Sequence, residues 1–178
     1  RKEIQAEVAR SGSAPHGPEG ALYPGTCRHL STDERAEKTA SGQPYALRLN
    51  VEKAVYMAGK LTWEDLSAGM QTATPEILGD VVLARKDIPA SYHLSVAVDD
   101  HIQGITHVTR GEDLFYASHL HRLLQALLDL NEPVWHHHKL LLDDEGKRFA
   151  KRNNSVTLQY LREVEGRTPD ELIGSLAD

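Results

Sequence analysis

The chain has 178 residues, 40% of them hydrophobic and 26% charged, with a formal net charge of −6. That composition is globular and long enough for one domain, or one plus a small appendage, with a core that needs no disulfide staples. The acidic balance excludes coating of nucleic acid by overall charge, leaving only local basic patches for such contacts. The single Cys27 excludes an intrachain disulfide and is compatible with a reducing cytosol, and no apolar run approaches a membrane span or a signal peptide.

In chain order, residues 1–10 (RKEIQAEVAR) pattern as a helix with Ile4 and Val8 on one face. They open mid-pattern without Met, so further polypeptide upstream is expected. Residues 11–30 are rich in Gly, Pro and Ser and read as a loop. Ser31 followed by Glu34 is a capping-box pattern, predicting a short helix from about 32 to 39. SGQPYALRLNV reads as loop into strand, with Tyr45, Leu47, Leu49 and Val51 alternating, and residues 52–75 as irregular structure with short strands. GDVVLARKD predicts a strand over Val81 to Ala84.

SYHLSVAVDD alternates at Tyr92, Leu94, Val96 and Val98, predicting a strand that Asp99-Asp100 and Gly104 end. Ile105 to Val108 predicts another strand. A helix is expected from about Asp113 to Leu130, with Ala117, Leu120, Leu123, Leu124, Leu127 and Leu128 at helical spacing and Asp113 as N-cap. Lys139 to Leu142 predicts a further strand. Two helices close the chain, one over about Thr157 to Glu165 and one opened by Thr168, Pro169 and Glu171. This alternation points to the α/β class.

Four stretches carry chemistry. In THVTRGEDL, Arg110 and Gly111 lie between a strand end and a helix start, where open α/β sheets bind ligands. A guanidinium there either grips a carboxylate or phosphate in a fork or pairs with Glu112 or Asp113 to fix the loop. Tyr92, on the apolar face of the preceding strand, is either core packing or part of a site. In DDEGKRFAKRNN, turn chemistry precedes the cations Lys147, Arg148, Lys151 and Arg152. Such a loop can close over a triphosphate, with Lys151 as a point charge on the phosphates, or can be a solvated charged loop. His136 and His138 would share a side in extended backbone, a weak metal pattern against polar packing. Tyr23 and Cys27, in LYPGTCR, could supply two ligands of a zinc site, which prefers four.

Together these stretches resemble one family. ASYHLSVAVDDHIQGITHVTRGEDL is similar to the second half of the catalytic domain of the glutamyl-tRNA synthetase family, and EGKRFAKRN resembles its KMSKS loop. LYPGTCR, GDVVLARKD and NNSVTLQYLREVEGRTPDELI resemble the shortened branch of that family, which glutamylates queuosine in tRNA(Asp). The resemblance implies an incomplete Rossmann-like class I catalytic domain: residues 1–80 as an insertion or connective region with a zinc-type segment, 81–151 as the second half of the nucleotide fold, and 152–178 as a helical C-terminal extension. It implies ATP and Mg²⁺, glutamate and queuosine-bearing tRNA(Asp) as substrates, a zinc ion as an option, and a monomeric cytoplasmic enzyme. Tyr92 and Arg110 match the glutamate-binding Tyr and Arg. Arg148, Phe149, Ala150, Lys151 and Arg152 match the loop, with Lys151 contacting ATP; Tyr23 and Cys27 match the last two zinc ligands.

There are departures. The loop's first Lys is Arg148 and its Ser is Ala150, which removes a hydroxyl. The HIGH signature, the N-terminal glutamate-binding stretch and the CxC pair expected before Arg1 are not in the sequence. These 178 residues alone are therefore not expected to form adenylate.

Overall fold

A computed structural model describes residues 16–18, 20–142 and 157–176. The chain divides into two compact units, Arg1–His138 and Lys139–Asp178. The predicted helix over residues 1–10 lies outside the described residues, as does the whole KMSKS-like loop.

The first unit opens with a two-residue ladder, β1 (His16–Gly17) antiparallel to β2 (Gly20–Ala21), within the expected loop. Helix α1 (Thr32–Ala40) follows, and both halves of its capping box form: Ser31 accepts from the Glu34 N–H while Glu34 accepts from the Ser31 N–H. Strand β3 is short (Ala46–Arg48). The alternation that suggested strand through Val51 is interrupted by Asn50, whose side chain accepts from the Lys53 N–H and starts helix α2 (Val51–Ala58). Residues 52–75 are thus more regular than expected, adding a hairpin of β4 (Thr62–Asp65) and β5 (Gly69–Thr72) and a 3₁₀ turn at Pro75–Leu78. Strand β6 (Val82–Arg85) pairs antiparallel with β3 across a bulge between Leu47 and Arg48.

The stretch read as a strand from Tyr92 is helix α3 (Tyr92–Ile102). Ser91 caps it by accepting from the Leu94 N–H. Its exposed positions, Tyr92, Asp99 and Ile102, recur at helical rather than alternating spacing. Strand β7 (His107–Gly111) leads into a 3₁₀ turn (Glu112–Leu114) and helix α4 (Phe115–Leu128). Asp113 is therefore not the N-cap: it lies inside the turn, and Leu114 occupies the cap position without a side-chain bond. The strand expected at Lys139–Leu142 lies earlier, as β8 (Val134–His138), where Trp135 and His137 face inward in alternation.

Strands β5, β4, β8 and β7 form one mixed sheet in that order, with β8 parallel to both β4 and β7. Helix α4 supplies Leu120 and Leu124 to a core shared with Leu78 and Ala97. A second cluster is aromatic: Trp63 contacts the rings of Phe115, His119, Trp135 and His137. The second unit holds α5 (Leu158–Glu163), capped by Thr157, and α6 (Pro169–Leu176), opened by a reciprocal Thr168–Glu171 box, close to the two helices expected there. Among the described residues, no helix is long and apolar enough to cross a membrane.

Candidate active site

Parallel pairing sets the centre of the site. In the β7–β8 register Arg110 stands opposite His137, at the carboxyl end of both strands. Arg110 donates through Nε to His137 Nε2 at 3.0 Å, through one Nη to His121 Nδ1 at 3.2 Å, and through the other to Ser118 Oγ. Ser118 and His121 come from α4, three residues apart and therefore on one face. All three acceptors are uncharged. The nearby acids considered from sequence still act on the guanidinium, through the charge of Asp113.

The proton positions follow from the donors. A guanidinium cannot accept, so His137 Nε2 and His121 Nδ1 must. The His137 proton is then on Nδ1, which donates to Asp65 at 2.6 Å. The His121 proton is on Nε2, which donates to His93 Nδ1 at 3.1 Å. Burial, reinforced by the charge of Arg110, pushes the His121 pKa down to about 2, so the ring stays neutral at physiological pH. Burial also lowers His137, and more than offsets its bond to Asp65. Burial would raise the Asp65 carboxyl. The His137 side chain and the backbone N–H groups of Ala68, Ser67 and His137 outweigh it and hold the carboxyl below its usual range. The pair is therefore carboxylate and neutral imidazole.

Tyr92 joins this group. Its ring meets those of His93 and His121 edge-on, and it is 52% exposed. Burial lowers the Arg110 pKa, while the charge and hydrogen bond of Tyr92, then Asp100 and Asp113, oppose it. At neutral pH the guanidinium remains a cation. The structure thus brings together the two residues expected to bind one ligand. Tyr92 and His93 also line a cavity of about 380 Å³ whose other walls include Tyr23, Arg48 and Asp80; Arg110 is not part of its lining.

Tyr23 and Cys27 are adjacent: the Cys27 N–H donates to the Tyr23 hydroxyl at 2.7 Å, and Arg48 sits 4.4 Å from the Tyr23 ring centre. Burial, then the side-chain bond with Cys27, pushes the Tyr23 phenol up. Among the described residues no group of three or more His, Cys, Asp or Glu gathers for a metal. They supply two of the four donors zinc prefers and do not by themselves form its site. His136 and His138 flank the buried His137 on the opposite side of β8 and gather no metal group. Arg148, Phe149, Ala150, Lys151 and Arg152 lie outside the described residues.

Sequence reading missed Asp65, Ser118 and His121 in this cluster. The available signals were a Ser and a His inside the apolar stripe of α4, and Asp65 two residues from Trp63 on the buried face of β4. It also missed Asp80, which anchors the wall of the cavity. Asp80 is buried and accepts two bonds from Arg28, each 2.7 Å, and one from the Val51 N–H. Burial would raise this carboxyl, yet the bonds and charge of Arg28, with Val51 and Arg48, bring it below its usual range. A depressed folded-state pKa stabilises the fold above the unfolded carboxyl value of about 3.9 and loses that contribution as pH falls through the folded value. Asp80→Asn is expected to cost about 2 kcal/mol at pH 7, below the range for a fully buried pair because Arg28 is partly solvated. In urea melts, the gap from wild type should shrink as pH falls through the acid range; a gap independent of pH would contradict the assigned charge.

The family model for tRNA synthetases class I (E and Q), catalytic domain, matches residues 3–175. The glutamyl-Q tRNA(Asp) synthetase of Rhodobacter capsulatus is 45% identical over 97% of the chain and 62% of its own length. That of Nocardia farcinica is 38% identical over 97% of the chain and 52% of its own length. Among solved structures, the glutamate-tRNA synthetase of Elizabethkingia anophelis superposes with a TM-score of 0.63 and 27% identity, covering 86% of the chain and 30% of that protein. The chain thus spans 62% and 52% of the lengths of the two curated relatives. With its mixed α/β sheet and its match across nearly all residues, the chain belongs to the class I tRNA synthetase (E and Q) catalytic-domain family.

Proposed function

We propose that the full-length protein activates glutamate with ATP and Mg²⁺ to glutamyl-adenylate and transfers it to queuosine at the wobble position of tRNA(Asp). The observation that carries this reading is the Arg110 guanidinium, held beside Tyr92 by neutral partners. The three acceptors use one N–H on each of its nitrogens and Tyr92 takes another, so an Nη N–H remains for a carboxylate beside the Tyr92 hydroxyl. Its positive charge is then answered by the substrate. Glutamate carries two carboxylates. The one held by Arg110 is a poor nucleophile, and the other attacks the α-phosphorus of ATP as pyrophosphate leaves.

Lys151, matched to the second Lys of the nucleotide-closing loop, meets the charge that builds on the phosphates. Positioning and electrostatics supply the catalysis, with no protein nucleophile. The glutamyl-Q branch is favoured over tRNA(Glu) charging by the identity and coverage of the relatives bearing that name. Tyr23 and Cys27 are read as half of a zinc-binding segment, and the enzyme as a cytoplasmic monomer.

The test of activation is ATP–pyrophosphate exchange by the full-length protein with each amino acid in turn. Exchange dependent on glutamate, and weak with aspartate or glutamine, is the expected result. Exchange with another amino acid, or with none, would contradict the reading.

A further inference from the structure

We propose that Asp65 is a positioning residue for glutamate binding, acting through His137 on the Arg110 guanidinium. This rests on the reading of Arg110 as the glutamate-binding cation. Asp65 is 1% exposed at the end of β4, next to β8 in the sheet. Its four contacts are all donors. Oδ1 accepts the N–H groups of Ser67 and Ala68 at 2.9 and 2.8 Å, and Oδ2 accepts the backbone N–H of His137 at 3.1 Å and its Nδ1–H at 2.6 Å. A carboxylate so held leaves His137 one tautomer, with its Nε2 lone pair toward the Arg110 Nε–H. Ser118, which bridges Arg110 and His137, steadies the same geometry.

An amide at position 65 cannot reproduce this. With its NH₂ toward Ser67 and Ala68, it meets two N–H donors. With its NH₂ toward His137, it meets the backbone N–H and forces Nδ1 to accept. The imidazole proton then moves to Nε2 and opposes the Arg110 donor. A glutamine at position 137 has an N–H for Asp65 and an oxygen for Arg110, so it keeps the polarity of the relay. A leucine there has neither.

The experiment uses the full-length protein with Asp65→Asn, His137→Gln and His137→Leu, measuring KM for glutamate and for ATP in pyrophosphate exchange, with thermal melts as a folding control. Asp65→Asn and His137→Leu are expected to raise the glutamate KM about tenfold or more, since small misplacements of a binding group have effects of that order. ATP KM should stay unchanged, and His137→Gln should recover most of the glutamate affinity. A folded Asp65→Asn protein with wild-type glutamate KM would overturn the proposal, as would a His137→Gln protein no better than His137→Leu. If Asp65→Asn does not fold, the two His137 variants decide. If wild type shows no glutamate-dependent exchange, the activity reading fails instead. The relay from Asp65 through His137 to Arg110 is then decided separately by imidazole ¹⁵N shifts of His137: a proton on Nδ1 supports it, and one on Nε2 overturns it.

Discussion

Arg110→Ala in the full-length protein is expected to lower kcat/KM for glutamate activation about 10²- to 10³-fold. Truncating one partner of a hydrogen-bonded charge pair costs about 2–5 kcal/mol, and each 1.4 kcal/mol is about tenfold. The middle of that range is appropriate because the guanidinium is partly buried and already fixed by His137, His121 and Ser118, so it loses little entropy on meeting substrate. The effect should fall mostly on glutamate, because Lys151 is the residue proposed to meet the phosphates. Arg110→Lys keeps the charge but not the three-way fork, and should lie between wild type and Ala. Steady-state exchange with glutamate and ATP varied separately checks this. An unchanged glutamate KM in a folded Arg110→Ala protein would remove the residue from the binding site.

Trp63→Ala is expected to destabilise the full-length protein by about 3–5 kcal/mol, the range for deleting a buried aromatic. Trp63 is fully buried, and its ring is packed by Phe115, His119 and Trp135 from α4 and β8. Its indole N–H donates to His119 Nδ1 at 3.3 Å, an acceptor also used by the Thr74 N–H at 3.0 Å. Truncation therefore opens a cavity between sheet and helix while leaving His119 with Thr74. His137 is in the same cluster, its ring centre 6.0 Å from that of Trp63, so the site's glutamate affinity should weaken with the core. Urea unfolding followed by circular dichroism measures the loss. A change under about 1 kcal/mol would mean that this cluster is not a principal support of the sheet.

What was legible in the sequence was what local chemistry decides. Ser31 with Glu34, Thr157, and Thr168 with Glu171 mark helix starts because their side chains bond backbone groups within the same turn. The apolar spacing of α4 was legible because the helical period alone places those side chains on one face. The segment after Ser91 was misread because Tyr92, Leu94, Val96 and Val98 satisfy alternation, while the Ser91 cap and the burial of Ala97 against the Leu120–Leu124 core select a helix. Arg110 stood out in the sequence as a candidate from its place near a strand end and a helix start. Its cradle did not, because Asp65, Ser118, His121 and His137 converge only through the parallel β4–β8–β7 register and the packing of α4. Nor could sequence choose between a paired and a cradled Arg110, since Glu112 and Asp113 stand next to it in the chain.

Transfer of labelled glutamate by the full-length protein, with ATP and Mg²⁺, to tRNA(Asp) carrying or lacking queuosine, with tRNA(Glu) alongside, decides the proposed activity. Label is expected on the queuosine-bearing tRNA(Asp) alone, abolished by Arg110→Ala. Label on tRNA(Glu), or no label on any of the three, would contradict it.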